Sequence, residues 1–388
     1  MNLNELPVYM KKNMYEIDSQ RGGAKIMEVA VLGGGHGCYA AAADAAEAGY
    51  NVRFWRRDAD AFRPVLDSST VLVSDSKGRR EIPLSLATTN VAEAMEGAEL
   101  ILSPLPGTTQ AGLGETIAPH LKDGQVVFIP PGTFGSYLMA RQVRDSGNRA
   151  EVAFGDAGTL PWLVRKQADG STRITTRTVR LPSGIFPARL SDHAFGLIEQ
   201  VFTETERRRD ALDAALLNYG PIIHPPLILM NAGPLAHFDA WDIHNEGTQT
   251  TIRNVHNALD AERIAIREAL GYGAPHFPLA DHYNRDPAGD TMYSVTSHDE
   301  LVGSSDWRED IDLFTHRYML EDIALGLALL VSLGDWAGVP CPVATGLLAI
   351  GGAAIGKDFR ATGRTWENIG LAGLGQGELH TLLDEGFS

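Results

Sequence analysis

The 388-residue chain lacks most features of secreted, disulfide-rich or nucleic-acid-binding proteins. It has only two cysteines, Cys38 and Cys341, too few for a disulfide framework and without metal-ligand spacing, so we expect a reducing cytoplasm. Lys and Arg number 33 against 49 Asp and Glu. The resulting formal charge of -16 disfavours nucleic acid and anionic lipid as partners, but still allows one local basic pocket for a small anion.

The sequence also lacks an apolar segment of membrane-spanning or signal-peptide length. Two lysines near the N-terminus are not followed by an apolar stretch, so nothing there directs export. The most apolar segment, residues 323–355, is interrupted by Asp335, Pro340 and Pro342. It therefore predicts buried core helices rather than a span.

What is present is typical of an ordinary folded protein, with 44% apolar and 21% charged residues. From Met27 the chain alternates short apolar runs with helical segments, without a fixed repeat. The run MEVAVL ends in Gly33–Gly37, an alanine-rich helix follows, and NVRFW at 51–55 forms a second strand. Further strands are predicted at 99–103, 125–129 and 151–154, with a helix at 110–121. This alternation predicts a parallel sheet covered on both faces.

The pattern changes beyond about residue 150. Residues 171–182 alternate Thr and Arg like a solvent-faced antiparallel strand, and we expect the sheet to end there. After Ser191 the sequence is helical, as at 258–270 and 318–333. The predicted fold class is α/β, a Rossmann-type doubly wound parallel sheet domain followed by a mostly α-helical second domain. The predicted divisions are an N-terminal extension at 1–26, with Met27 as an alternative start, a nucleotide-binding domain at 27–190 and a substrate domain at 191–388.

The glycine loop after the first strand predicts dinucleotide binding. A pyrophosphate rests against backbone N–H groups at a helix N-terminus, where only glycine permits close approach. Gly33 and Gly35 occupy the first two fingerprint positions, and Cys38 stands at the third, small enough for helix-to-strand packing. His36 and Gly37 complete the candidate cofactor loop. The alternative is a turn without a ligand.

The end of the second strand indicates which dinucleotide is bound. An NAD-binding protein usually has a carboxylate there for the ribose, whereas this chain has Arg56 and Arg57. Guanidinium groups suit the 2′-phosphate of NADP, so we predict NADP (NADPH) as preferred cofactor, with NAD as a possibility. The alternative is a solvated arginine pair with Asp58 as the ribose partner.

Two further Pro- and Gly-containing loops, residues 104–109 and 130–135, follow predicted strands at the edge where ligands bind in such sheets. Pro106 and Gly132 within them are candidates to frame the nicotinamide. Alternatively, these residues only close strand-to-helix turns.

In the helical domain, His224 stands directly before two prolines. A residue before proline favours an extended backbone, and proline suits a first helical turn, so we expect an exposed His224 at a helix mouth. The helix dipole there favours the neutral ring. A role in proton transfer would therefore require a carboxylate partner.

Asp322 is the candidate partner, and it stands five positions after Arg317. On a regular helix the two residues lie on different faces, so they can line one pocket only if Arg317 lies at or before the helix start. The alternative is an Arg317–Glu321 pair on a solvated helix.

The segment LAHFDAWDIHNEG concentrates ligand-type side chains: His237, Asp239, Asp242 and His244. It lacks a clear metal-binding helical pair, and we predict no metal. A role in the substrate pocket is expected instead, together with Trp241 and Asn231.

These motifs together resemble the octopine/nopaline, or opine, dehydrogenase family. The similarity runs from about Met27 nearly to the C-terminus, through HPPLILMNAG, NEGTQ, DAERIAIREALG, RYMLEDIALGL and KDFRATGRTWENIGLAGL. The resemblance implies reductive condensation of a 2-oxo acid with the amino group of an amino acid or amine, using NADPH or NADH. It also implies that His224 and Asp322 form a proton relay and that Arg317 binds the oxo acid carboxylate.

The sequence is also compatible with two other functions. One is an NADP-dependent dehydrogenase that oxidises the alcohol of a hydroxy acid or sugar acid, and the other is a non-catalytic NADP-binding sensor. The partners we expect are the small-molecule oxo acid and amine, with no nucleic acid and no membrane. The sequence leaves the oligomeric state open, with a homodimer as one possibility.

Overall fold

The computed structural model describes residues 26–387, so the predicted extension lies outside it except for Ile26. Twelve strands in that range form an eight-stranded and a four-stranded sheet. The strands are β1 (Glu28–Leu32), β2 (Asn51–Trp55), β3 (Thr70–Asp75), β4 (Gly78–Pro83), β5 (Leu86–Thr88), β6 (Leu100–Leu102), β7 (Val126–Ile129), β8 (Ala153–Ala157), β9 (Trp162–Lys166), β10 (Thr172–Arg177), β11 (Leu181–Phe186) and β12 (Thr205–Arg207).

The large sheet has the order β12-β11-β8-β7-β6-β1-β2-β5, and its strands are parallel from β5 to β8. Strands β6 and β7 are buried along their whole length, as expected for strands covered on both faces. The predicted Rossmann-type parallel sheet is therefore confirmed.

The predicted end of the sheet was wrong. Residues 171–182 do not form one solvent-faced strand, because β10 joins the small sheet and β11 begins at Leu181. Strand β11 is wholly buried and pairs antiparallel with β8, and the short β12 forms the outer edge. A strand as short as β12 has too little apolar periodicity to be recognised beyond Ser191.

The small sheet, with the order β4-β3-β10-β9, packs against the first helix. The helices of the sheet domain are α1 (His36–Glu47), α2 (Ala59–Ser68), α3 (Val91–Met95), α4 (Gln110–Ile117), α5 (Gly135–Asp145) and α6 (Ser191–Val201). Trp162 of β9 donates to Asp44 of α1 over 2.6 Å, and Arg177 of β10 pairs with the same carboxylate. Helix α1 is therefore enclosed between the two sheets.

Helices make up the rest of the chain. They are α7 (Ala211–Ala215), α8 (Gly220–Met230), α9 (Ala232–His237), α10 (Thr250–Ala269), α11 (Leu279–Asn284), α12 (Ser297–Ser304), a π-helical segment (Tyr318–Leu327) continuing into α13 (Ala328–Ala337), α14 (Pro342–Ala354), α15 (Phe359–Thr362) and α16 (Gln376–Glu385). None of the helices between residues 26 and 387 is both long and apolar enough to cross a membrane.

Helix α8 crosses the π-helical segment at very short range. A Cβ on Gly326 would overlap the ring of Pro221, and a Cβ on Gly220 would overlap the carboxylate of Asp322. Glycine at these two positions lets the backbones approach, because protein interiors have no spare volume for an added methyl group. This crossing positions His224 and Asp322.

The domain boundary at residue 190 stays a prediction. Helix α6 packs on β7, β8 and β11, and β12 extends the large sheet. We therefore propose that the nucleotide-binding domain continues to about residue 207.

Candidate functional site

The glycine loop turns sharply between β1 and α1. Gly33 has a φ of +127°, and a Cβ there would lie 2.6 Å from the Leu105 side chain. At Gly35, the residue before the helix, a Cβ would meet nothing closer than 3.9 Å. The backbone face at Gly35 is thus open, and the N–H groups of the first helical turn are approachable by an anion.

The other loop residues close the turn. Cys38 is fully buried, and burial above all raises the pKa of its thiol to about 12, so it packs as a neutral side chain. A Cβ on Gly37 would lie 3.0 Å from Leu160 and 3.1 Å from Pro104, which makes this a close crossing. Burial, followed by the positive charges of Arg165, Lys166 and Arg317, lowers the pKa of His36 to about 4.

The two predicted phosphate-binding arginines differ in placement. Arg56 is half-buried and lies over Gly34, where a Cβ would be 2.5 Å from Nε, and Nη1 lies 3.3 Å from Oη of Tyr39. Arg57 is exposed. Asp58, the alternative ribose partner, accepts from the backbone of Ala61 and caps α2.

Arg364 connects the loops at 104–109 and 130–135. Its buried guanidinium donates to the carbonyl oxygens of Gly132 at 3.0 Å, Thr133 at 2.7 Å and Gly107 at 3.2 Å, and to the Gln110 amide at 2.9 Å. Since Arg364 belongs to the C-terminal part of the chain, the helical domain holds both loops in place.

Two buried carboxylates also hold these loops, because each accepts a hydrogen bond from a backbone N–H group of one loop. Asp156 accepts from the N–H of Gly132 at 2.7 Å, and burial raises the pKa of Asp156 to about 6. Glu321 accepts from the N–H of Gly107 at 2.6 Å, and burial followed by the charge of Asp322 raises the pKa of Glu321 to about 7. Pro106 is half-buried beside Gly107, so both predicted loop residues lie at this junction.

His224 and Asp322 come together as the sequence predicted, but on a different local structure. Nδ1 of His224 lies 2.7 Å from Oδ2 of Asp322. The prediction of an extended, exposed His224 at a helix mouth was wrong, because α8 begins four residues earlier, at Gly220, and contains His224, Pro225 and Pro226. The side chain of His224 retains only 14% exposure.

The surroundings favour an uncharged imidazole. Burial first, and then the positive charges of Arg317, His316 and Arg165, lower the pKa of His224 well below its usual value. Burial raises the pKa of Asp322 to about 7, against the opposing charge of Arg317. With Nδ1 facing the carboxylate, Nε2 is the ring nitrogen that can exchange a proton with a ligand.

Arg317 and Asp322 share one site because the chain is π-helical there. Hydrogen bonds spanning five residues replace the usual four, and Arg317 is the residue directly before this segment. The Arg317 guanidinium lies 4.9 Å from the ring of Tyr318, and His224 stacks on that ring at 3.7 Å between centroids. Tyr318 therefore contacts both of the predicted substrate-facing groups.

The alternative Arg317–Glu321 contact exists, at 3.9 Å, but not on a solvated helix. Glu321 is buried and accepts a hydrogen bond from the backbone N–H of Gly107, whereas the Arg317 side chain is 47% exposed. Arg317 is thus available to an anionic ligand.

Charged residues link this site to the glycine loop. Arg165 of β9 pairs with Glu309 at 2.9 Å, and His316 lies 3.4 Å from the same carboxylate. The charges of Arg165 and Arg317 lower the pKa of His36 and that of Glu309 opposes them, so charged side chains of the small sheet and of the helical domain lie near the first turn of α1.

Asn231 and Trp241 pair with each other beside this region. The Trp241 indole donates to Asn231 Oδ1 at 3.1 Å, and the Asn231 amide donates to two backbone carbonyls. Asp242 accepts from the backbone N–H of His244, whose ring lies 5.8 Å from that of His224. Within residues 26–387 no three His, Cys, Asp or Glu side chains are grouped so that they could hold a metal ion.

Several site residues were not found from the sequence: Gly220, Tyr318, Glu309, Arg364, Asp156 and Lys166. Tyr318 is adjacent to Arg317 in RYMLED, and this neighbour was the available signal. The others act through contacts between distant segments, which spacing along the chain does not reveal.

The residues present fit a dinucleotide. The strained glycine at 33 and the open backbone at 35 form a cradle that a larger residue would fill, and Arg56 adds positive charge where the adenosine ribose lies in such folds.

Residues 207–355 match the family model described as NAD/NADP octopine/nopaline dehydrogenase, alpha-helical domain. An opine dehydrogenase from Arthrobacter sp. (strain 1C) is 28% identical over 350 residues, covering 89% of this chain and 95% of the relative. An octopine dehydrogenase solved with NADH and L-arginine has a TM-score of 0.67 at 19% identity, over 93% of this chain and 99% of the other. A yersinopine dehydrogenase solved with NADP+ has a TM-score of 0.63 at 13% identity, over 93% and 98%. The two structures share the fold of this chain.

Proposed function

The chain belongs to the octopine/nopaline (opine) dehydrogenase family, and on that premise we propose that it reductively condenses a 2-oxo acid with the amino group of an amino acid or amine. The observation that carries this proposal is the arrangement around Tyr318. His224, which pairs with Asp322, stacks on this ring, and the half-exposed Arg317 packs against it. Arg317 is also close enough to lower the pKa of His36 in the first helical turn after the glycine loop.

Arg317 is the proposed carboxylate anchor. A guanidinium binds a carboxylate bidentately, which fixes both the position and the orientation of the oxo acid. The π-helical segment directs Arg317 and Asp322 into one site, so the anchored acid lies beside His224. Such positioning increases the reaction rate, because the reacting groups meet without a further loss of translational and rotational freedom.

His224 is the proposed proton carrier. As a neutral imidazole, its Nε2 takes a proton from the substrate ammonium, which leaves a neutral amine to attack the oxo carbon. Attack gives an adduct with a positive nitrogen and a negative oxygen, and one proton moves from that nitrogen to that oxygen. The proton held by His224 then goes to the same oxygen, which leaves as water and gives a protonated C=N bond. Asp322 holds Nδ1 and stabilises the imidazolium during this exchange.

When bound, NAD(P)H supplies the hydride that reduces the C=N carbon. We propose that the glycine loop and the first turn of α1 hold its pyrophosphate, while the loops joined by Arg364 frame the nicotinamide. Reversal of the same proton steps makes the reaction reversible.

NADPH is the proposed preferred coenzyme, with NADH as the alternative. Octopine dehydrogenase was solved with NADH and yersinopine dehydrogenase with NADP+, so both coenzymes occur among related folds. Arg56, held over the glycine loop in place of a carboxylate, supports NADPH here.

A cytoplasmic location is proposed on the two cysteines, which are buried free thiols. A homodimer stays a prediction.

Initial rates with purified protein test the function. We expect 2-oxo acids to support NADPH oxidation only when an amine is also present, and the rate to be lower with NADH. The control is the His224→Gln variant, which should bind coenzyme but not turn over. Equal rates with and without amine would instead indicate reduction of the oxo acid to a hydroxy acid, the alternative function.

A further inference from the structure

Two cations from different sheets meet on one tyrosine beside the glycine loop. Arg56 follows β2 of the large sheet, and Lys166 is the last residue of β9 in the small sheet. Nη1 of Arg56 lies 3.3 Å from Oη of Tyr39, and Nζ of Lys166 lies 3.4 Å from the centre of the Tyr39 ring. Tyr39 belongs to the first turn of α1, so both cations border the coenzyme-binding end of this helix.

In the described part of the chain, the positive charges of Arg56 and Lys166 are not paired with carboxylates. The other hydrogen bond of Arg56 goes to the carbonyl of Ala61, at 3.1 Å. Among residues 26–387, no carboxylate lies within ion-pair distance of Arg56 or Lys166, whereas the adjacent Arg165 is paired with Glu309. Placing two cations together at half-buried positions is unfavourable unless an anion compensates them.

The position of the pair matches one part of the coenzyme. In dinucleotide folds the ribose of the adenosine lies at the end of the second strand, where Arg56 stands. The Arg56 side chain covers Gly34, and Lys166 is close enough to His36 to affect its pKa. The pair therefore lies beside the ribose position and close to the pyrophosphate loop.

We propose that Lys166 is a specificity-determining residue, which binds the 2′-phosphate of NADPH together with Arg56. This inference rests on the proposed NADPH-dependent function and extends it to the small sheet, whose strand β9 carries Lys166. A planar guanidinium and a compact ammonium bind different oxygens of one phosphate. NADH lacks the 2′-phosphate and so has no anionic group on the adenosine ribose to pair with them.

The site also couples coenzyme binding to the uptake of a proton. Burial first, and then the charge of Arg56, lower the pKa of Lys166 to about 8. The other titratable groups facing it are neutral above that pH: burial raises the pKa of Tyr39, raises that of Cys38 to about 12, and lowers that of His36 to about 4. At pH 8.5 a bound phosphate dianion should therefore cause Lys166 to take up a proton.

Calorimetric titration at pH 8.5, in buffers of different ionisation enthalpy, tests the proposal on the coenzyme complex without substrates. The probes are NADPH, NADH and 2′,5′-ADP. The last of these is adenosine with a 2′-phosphate and a 5′-phosphate, and it has no nicotinamide half. In the natural protein, NADPH and 2′,5′-ADP binding should take up protons, and NADH binding should not.

The variants separate the role in specificity from a structural role. Lys166→Gln should weaken NADPH and 2′,5′-ADP binding roughly 10- to 100-fold, the size of a charged hydrogen bond, and leave the NADH dissociation constant unchanged. Lys166→Arg should keep most NADPH affinity but lose the proton uptake. Lys122→Gln, at an exposed position, is the matched control and should change neither.

Equal weakening of NADPH and NADH by Lys166→Gln, or no weakening, would overturn the proposal. The first result would assign Lys166 to the pyrophosphate or to the fold, and circular dichroism with a melting curve distinguishes those two. The outcome is independent of the amine requirement, since no oxo acid or amine is present. Failure here is thus distinguishable from failure of the proposed reaction.

Discussion

Nδ1 of His224 lies 2.7 Å from Oδ2 of Asp322, although the two residues are 98 positions apart in the chain. His224 is also stacked on Tyr318, with ring centroids 3.7 Å apart and 18° between the planes. The hydrogen bond and the stacking together fix the imidazole, so that Nε2 has one orientation. This relationship is the basis of the proposed proton transfer.

Asp322→Asn should abolish most turnover without affecting coenzyme binding. An amide has nearly the same shape as the carboxylate but cannot stabilise an imidazolium, so we expect kcat to fall roughly 10²- to 10⁴-fold. Steady-state rates and a fluorescence titration with NADPH check both parts. Asp335→Asn is the matched control, because Asp335 pairs with Arg360 on the surface of α13 and should not alter kcat. A fully active Asp322→Asn enzyme would remove Asp322 from the mechanism.

The same variant should change stability in a pH-dependent way. The pKa of Asp322 rises on folding from 3.8 to about 7, so the stability contributed by the protonated carboxyl is complete below pH 3.8 and is lost as pH rises to about 7. Asparagine does not titrate. Relative to the natural protein, Asp322→Asn should therefore gain stability from pH 4 to pH 7.5, by up to about 4 kcal/mol. Urea unfolding at both pH values measures this gain, and a constant difference would contradict the assigned shift.

Gly220→Ala should impair catalysis through Asp322. The added Cβ would overlap Oδ1 of Asp322, so the carboxylate must move and its bond to His224 must lengthen. Gly346→Ala is the control, because Gly346 lies within α14 and a Cβ there meets nothing within 4 Å. We expect kcat to fall only in Gly220→Ala, and Gly346→Ala to be more stable by up to about 1 kcal/mol. Equal kcat in both variants would show that the close contact is not needed.

Arg317→Gln should mainly raise the KM of the 2-oxo acid. Loss of a charged hydrogen bond to the carboxylate corresponds to about 10- to 100-fold in affinity. The dissociation constant of NADPH should not change, and neither constant should change in the surface variant Arg360→Gln. If instead coenzyme binding weakens while the oxo acid KM is constant, Arg317 contacts the coenzyme and the proposed anchor is incorrect.

The sequence predicted the elements whose local pattern is strong. Strand β2 occupies residues 51–55 as predicted, and β7 differs from the prediction by one residue. Both are continuous apolar runs, in which the pattern itself reflects burial on two faces. Asp322 was a candidate partner of His224 from the residues alone, and the family resemblance then implied that the two form a proton relay. Spacing could not establish the pairing, since two residues so distant in the chain have no local signal.

The features that the sequence did not predict depend on tertiary contacts, which override local backbone preferences. His224 precedes a proline, which disfavours helix locally, yet α8 contains both because Gly220 and Gly326 let this helix pack closely on the π-helical segment. The π-helical turns themselves have no recognisable sequence pattern. Arg364 lies in the motif KDFRATGRTWENIGLAGL, but its hydrogen bonds to Gly107 and Gly132 follow only from the three-dimensional structure.

The most direct test of the central claim is the fate of deuterium from NADPH labelled at C4 of the nicotinamide, in a reaction with a 2-oxo acid and an amine. We predict that mass spectrometry and NMR will find it in a secondary amine, on the carbon that carries the carboxylate. The product should be absent with His224→Gln and unaffected in the exposed control His193→Gln. Deuterium in a hydroxy acid, or undiminished labelling with His224→Gln, would contradict the account.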